Sequence, residues 1–301
     1  MYQVLVVMFL LVLLGVGLRF FGVFNKEFAT SLTRFVFLVT FPCLIFRSLH
    51  GSNLTPELWV IPPIAYLLIS LCFVGSFYLS KRFLSLSPQT AISFAMGGAL
   101  GNTAFIGYPF VMALLGEKAL PPAIFFDQMG NFLSTYTVGV AFCLYIRSNK
   151  FSFFNWKEIL KLPPFIAFLI ALFTNQLPLP SFLEEIINLL ADATVPLTMV
   201  AIGISLSASH LSAYLKPLLT ATVIKLLILP LSFWLVVQLL PLAPLYQKVI
   251  VLQGATPTLM TSYTLASVYQ MDTDFSSSVI FVTTLVSFLT LPLWNVILTY
   301  L

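Results

Sequence analysis

Apolar residues run through this chain in blocks of about twenty, parted by short polar or charged stretches. Ten such blocks fall at about 3–21, 29–48, 58–80, 88–115, 120–146, 159–177, 184–207, 216–240, 246–270 and 275–300. Each is long enough to cross ~30 Å of hydrocarbon as a helix. The predicted fold class is therefore all-α and integral to the membrane, with ten transmembrane helices. Two blocks are interrupted. Block four carries Met96-Gly97-Gly98-Ala99-Leu100-Gly101-Asn102-Thr103-Ala104-Phe105-Ile106-Gly107-Tyr108-Pro109, and block nine carries Gln253-Gly254-Ala255-Thr256-Pro257-Thr258. Glycine and proline weaken a helix, and backbone groups freed at membrane depth cannot turn to water. Such a break survives where protein or a water-filled cavity covers it, and it marks the binding site in many secondary transporters. Close packing of small residues is the structural alternative.

Loop charges set the orientation. Arg19, Lys26, Arg34, Lys81, Arg82, Arg147, Lys150, Lys157, Lys161 and Lys216 lie in odd-numbered loops, against Arg47, Lys118 and Lys248 on the other side. The positive-inside rule then makes the odd loops cytoplasmic and places both termini outside. The loop at about 147–157 is the longest and most basic, and it suggests three parts: a first repeat at 1–148, a cytoplasmic linker at 149–158, and a second repeat at 159–301. Thr40-Phe41-Pro42 recurs as Thr194-Val195-Pro196, 154 residues later, and Gly101-Asn102-Thr103 as Gly254-Ala255-Thr256, 153 later. Five spans per half is odd, so the second repeat enters the membrane inverted, and helices four and nine meet and cross near the bilayer centre.

Composition agrees with this picture. The chain is 59% hydrophobic and 8% charged, against about 25% charge in soluble domains. Its mean hydropathy is +1.03. The net charge of +4 is spread along the loops, which argues against nucleic acid as a partner. Cys43, Cys72 and Cys143 are far apart in apolar segments and read as small buried residues. His50 and His210 stand alone, so no metal site is expected. No basic stretch precedes the first apolar block, which reads as a span rather than a signal peptide.

The candidate chemistry sits at the breaks. Half-helix N-termini present free N–H groups and partial positive charge, which favour an anion. Gly101, Asn102, Thr103, Tyr108, Thr256, Pro257 and Thr258 are the candidate substrate-binding residues, with Asn102 the amide donor of the first break. The same loosened carbonyls can instead hold a cation. Asp127, Asn131 and Ser134 share one face of span five, and Lys225 lies about nine residues into span eight. These four are the candidate groups for proton or cation coupling, because an ionisable group within the membrane is a functional suspect. The structural alternatives are a hydrogen bond to a neighbouring helix for Asp127, snorkelling for Lys225, and an interfacial position for Asp192 and Arg47.

Gly101-Asn102-Thr103-Ala104-Phe105-Ile106-Gly107-Tyr108-Pro109, then Gly116-Glu117-Lys118-Ala119-Leu120, then Asp127, resembles the fourth-to-fifth-helix signature of the auxin efflux carrier family. That family's usual pattern has glycine where Ala104 stands and a small or aliphatic residue where Tyr108 stands. Thr194-Val195-Pro196-Leu197 with Gly203, and the run from Leu265 to Leu291-Pro292-Leu293-Trp294, are similar to its second half. The resemblance covers essentially the whole chain. It implies two inverted five-helix repeats related to the bile-acid/sodium symporter fold. Helices 1, 2, 6 and 7 would form a scaffold, and helices 3, 4, 5, 8, 9 and 10 a mobile transport domain. It also implies a homodimer in the cell (inner) membrane and an organic acid as substrate, since its bacterial relatives include carriers of malonate and other organic acids. The compact central loop is similar to the short prokaryotic form.

The expected function is a secondary carrier of a small organic anion, most simply a carboxylate, working by elevator-type alternating access. No cofactor is expected beyond coupling sodium or protons. A sodium-coupled symporter of an organic solute and a non-transporting membrane sensor on the same fold are the alternatives. An intramembrane enzyme is not expected, because two isolated histidines and no paired acids offer no catalytic constellation.

Overall fold

The computed structural model describes residues 2–148, 159–206 and 211–300. The expected central linker, with Lys150 and Lys157, lies outside the described residues, as does His210. The described chain is helical, and the one β-type pairing in it is an isolated antiparallel bridge between Gly101 and Thr258. In chain order the helices are α1 (Tyr2–Phe20), α2 (Glu27–Leu49), α3 (Pro56–Phe83), α4 (Pro88–Ala99), α5 (Thr103–Leu115) and α6 (Glu117–Arg147). They continue as α7 (Pro163–Phe173), α8 (Ser181–Ser205), α9 (Leu211–Val237), α10 (Pro244–Gly254), α11 (Thr261–Tyr269) and α12 (Thr273–Ile297). Six of these, α2, α3, α6, α8, α9 and α12, are long and apolar enough to cross a membrane.

Local chemistry sets the boundaries. Asn25, Ser87 and Asp272 are N-caps of α2, α4 and α12, accepting from Phe28 N at 2.9 Å, Thr90 N at 3.2 Å and Phe275 N at 2.9 Å. Gly116, at φ 85°, turns α5 into α6, and Gln270, left-handed at φ 60°, ends α11. The two expected breaks are present and narrower than the glycine pattern suggests. The first is confined to residues 100–102. From Thr103 to Gly107 the chain winds as a π-helical turn, with Ile106 N and Gly107 N both donating to Asn102 O (3.2 and 3.0 Å). The second begins after Gly254, which still belongs to α10, and runs to Met260. Glycine tolerates a helix within a packed bundle, and it is the loss of backbone donors around Pro257 that ends this one.

The helices pack as two groups. In one, α1, α2, α7 and α8 are one another's principal neighbours, and in the other α3, α4, α6, α9, α10 and α12 are. The tightest approach is between α1 and α8. A Cβ on Gly203 would lie 2.1 Å from Val12 O, and one on Gly15 would lie 2.3 Å from Val200 O. Two facing glycines let the backbones touch, which is how helices gain packing where lipid supplies no hydrophobic drive. Arg19 Nη1 then donates to Ile204 O (3.0 Å) and Leu206 O (2.5 Å), closing the C-terminus of α8. Within α2 and α8, Thr40 and Thr194 donate to Val36 O and Leu190 O (3.5 and 3.4 Å), one turn back. These are not the carbonyls of Leu38 and Asp192 that Pro42 and Pro196 cannot serve, so the hydroxyls do not fill the proline gaps. The residues on the α5 side of the first break meet the first group, where Phe41 of α2 packs edge-on against Phe105 and Tyr108 at 4.7 and 5.8 Å.

Candidate functional site

The two breaks lie against each other. Asn102 N donates to Pro257 O at 2.7 Å, and Leu259 N donates to Leu100 O at 3.0 Å, so the extended residues pair as a two-bond antiparallel patch. Each break supplies what the other lacks, which removes orphan backbone groups from the interior. Side chains complete the arrangement. Asn131 accepts from Gly101 N (2.9 Å) and donates to Gly101 O (2.8 Å) and Thr103 Oγ1 (2.9 Å), mimicking a strand neighbour. Thr283 accepts from Thr258 N (3.1 Å), Thr258 Oγ1 donates to Gly97 O (2.7 Å), and Thr256 Oγ1 donates to Gln253 O (2.7 Å). The backbone donors expected to face an anion are thus taken up by the protein at Gly101, Asn102, Thr258 and Leu259.

Asp127 is buried beside this patch and is an acceptor for three donors. Thr103 Oγ1 donates to its Oδ1, while Tyr108 OH (2.7 Å) and Gln128 Nε2 (2.8 Å) donate to its Oδ2. The carboxylate therefore ties the start of α5 to α6. Asp127 and Asn131 both engage Thr103, as their shared helix face requires. Ser134 does not join them: its Oγ bonds Tyr66 O (3.3 Å) and Ser70 Oγ (3.4 Å) on α3. Asp127–Asn131 and Ile224–Ile228 are π-helical turns inside α6 and α9. One extra residue per turn re-aims Asp127, Asn131 and Lys225 toward the breaks, a common use of such turns at functional sites.

Lys225 neither snorkels nor pairs with an acid among the described residues. It is 1% exposed, and its Nζ donates to Gly254 O, the last carbonyl of α10, at 2.8 Å. Asp192 instead pairs with Arg47 (2.6 Å) between α8 and α2, with 72% of its side chain exposed.

Two amides stand out. Asn102 and Gln253 are fully buried, and neither the N nor the O of either side chain has a hydrogen-bond partner among the described residues. A buried amide left without partners costs about 1–3 kcal/mol, so such a group calls for an explanation, such as strain or a bound water, ion or ligand. Gln253 rests on Gly107, where a Cβ would lie 2.1 Å from its Oε1. The sequence pattern singled out Asn102 but passed over Gln253, although an amide just before the second break was a visible signal. Gln128, beside Asp127, and Thr198, a fully buried hydroxyl of α8 with no partner among the described residues, were likewise missed.

Residues 1–295 match the family model described as membrane transport protein. Two archaeal proteins are similar over nearly their full lengths. An uncharacterized transporter of Methanocaldococcus jannaschii is 29% identical over 98% of this chain and 98% of its own. An uncharacterized transporter of Methanothermobacter thermautotrophicus is 32% identical over 96% of this chain and 95% of its own.

Proposed function

Since this chain belongs to the membrane transport protein family, that of the auxin efflux carriers, we propose that it is a secondary carrier of a small organic anion whose site lies where the two breaks meet. The observation that carries the reading is the pair of unpartnered buried amides, Asn102 and Gln253, at two interrupted helices hydrogen-bonded to each other. A carboxylate accepts hydrogen bonds only, and the two amide groups together offer four N–H donors. The buried Lys225 ammonium adds a positive field nearby.

In this reading ten spans form two inverted repeats, helices four and nine cross, and both termini face outward across the inner membrane. The α1, α2, α7, α8 group is the scaffold, held together by the Gly15–Gly203 contact and the Arg19 cap. The other group carries the substrate across by an elevator movement, and a homodimer anchors two scaffolds in the bilayer. Asn102 lies in the first break and Gln253 in the last turn of α10, against Gly107 of α5, so sliding one group against the other would change which side the substrate sees. Asp127 is the coupling group, since it holds Thr103 and Tyr108 at the entrance to α5.

Uptake of labelled mono- and dicarboxylates into proteoliposomes tests this directly. Saturable uptake of one acid class, competed by its unlabelled form, is the expected result. Binding of an acid without uptake would instead assign a sensor.

A further inference from the structure

The loops that follow α2 and α7 are clasped to each other. Gly51, at φ 71°, turns the first loop so that its N donates to Asn175 O at 2.8 Å, and Asn175 Nδ2 donates back to Ser52 O at 2.9 Å. Between the loops lies a cavity of about 600 Å³, within the range of about 300–1,000 Å³ in which small molecules are held. No residue of either helix break lines it. Leu54 and Leu177 give it apolar walls, and His50, Asn53, Asn175 and Gln176 give it polar ones. Two of the polar atoms are unsatisfied. His50 Nδ1 and Asn175 Oδ1, one from each loop, are buried and have no hydrogen-bond partner among the described residues. Both side chains are held in place. The bond to Ser52 O orients the Asn175 amide, and the His50 ring stacks on Phe46 with centroids 4.8 Å apart and planes at 17°. Buried atoms of this kind call for a partner, and the clasp holds their residues at the wall of a cavity.

The chemistry of the lining selects the guest. No Asp, Glu, Lys or Arg lines the cavity, and Arg47, one turn before His50, is paired with Asp192. A charged guest would lose hydration there and meet no counter-charge. A hydroxyl both donates and accepts, so it suits an imidazole and three amides together. The C–H faces of a sugar ring suit the leucines. We propose that this cavity binds a neutral polyhydroxylated group, a sugar that is either free or carried as a lipid headgroup. In the proposed orientation both loops face outward, where either source reaches them. The site is separate from the meeting of the two breaks and does not rest on the carrier reading.

The test uses the purified protein in phosphatidylcholine nanodiscs prepared without sugar-based detergent. Methyl glycosides of glucose, galactose and mannose are the probes, and saturation-transfer NMR is the readout, with empty nanodiscs as the blank. The wild type is expected to transfer saturation to at least one glycoside. His50→Phe keeps a ring stacked on Phe46 and removes both ring nitrogens, and it should weaken binding about fivefold or more. Gln176→Trp fills the cavity and should abolish binding. His50→Phe decides alone where Gln176→Trp does not fold. Nanodiscs that also contain a glycosyl diacylglycerol distinguish the two sources. Loss of the free glycoside's signal there assigns the cavity to a lipid headgroup, and an undiminished signal assigns it to a soluble sugar. No transfer to any glycoside, or transfer equal in the wild type and the folded variants, overturns the proposal and leaves the cavity to water.

Discussion

Asn102 N donates to Pro257 O at 2.7 Å, joining two residues that lie 155 positions apart in the chain. Each belongs to a stretch that cannot continue its own helix, and each satisfies the other. The backbone of Asn102 is therefore structural, while its side chain has no hydrogen-bond partner among the described residues and is the group that the proposed reading gives to the anion.

This division makes Asn102→Ala informative. The variant keeps the 2.7 Å backbone bond and removes a buried amide that nothing among the described residues satisfies, so its melting temperature should equal or exceed that of the wild type. Affinity for the organic acid should fall roughly five- to a hundred-fold, the loss of about 1–3 kcal/mol of contact. Gln253→Ala should act in the same direction. If both amides hold one carboxylate, the double variant should lose less than the product of the two factors. Titration calorimetry with the acid found by uptake measures all three.

Asp127→Asn should separate transport from binding. An amide can replace one carboxylate oxygen as acceptor but turns an N–H toward donors at the other, so at least one of the bonds from Thr103, Tyr108 and Gln128 is lost. A stability loss of about 2–4 kcal/mol is expected. Uptake driven by an imposed proton gradient should fail, while exchange at equal concentrations on both sides persists. A folded variant that responds to the gradient as the wild type does would leave Asp127 with only its structural role.

The α1–α8 contact predicts a contrast between two glycines. Gly203→Ala drives a methyl to 2.1 Å from the Val12 carbonyl, where backbone must move. A loss of about 1–3 kcal/mol or more is expected, seen as a lower melting temperature and poor yield. Gly17→Ala, where a methyl meets nothing within 4 Å, should be neutral or gain up to about 1 kcal/mol.

Orientation is open to chemical labelling. In a protein whose native cysteines Cys43, Cys72 and Cys143 are replaced, Asn53→Cys should react with an impermeant maleimide added outside cells. Ser85→Cys should react only after the membrane is opened. The reverse pattern would place the basic loops outside and overturn the orientation drawn from them.

The positions of both breaks were legible because glycine, proline and amide residues are conspicuous in an apolar background. Asn102 and Asp127 were legible for the same reason, since a polar group at membrane depth has few structural excuses. The extent of the breaks was not. Whether Gly107 or Gly254 stays helical depends on what lies against it, and Gln253 beside Gly107 is 146 positions away in the chain.

The sequence by itself determined that this is an all-helical chain for a membrane, interrupted twice, with a buried acid and a buried base near the interruptions. Hydropathy and backbone propensity act over a few neighbouring residues, so a linear pattern contains them. Only the tertiary structure decided the partners of those polar groups. Ser134 turns to α3, Thr103 and Tyr108 to Asp127, and Lys225 to the end of α10. A hydrogen bond forms within about 3 Å, and helices that meet at that distance are set by packing between segments remote in sequence. That is why an unpartnered amide and a bonded hydroxyl, alike in the linear pattern, differ in what they can offer a ligand.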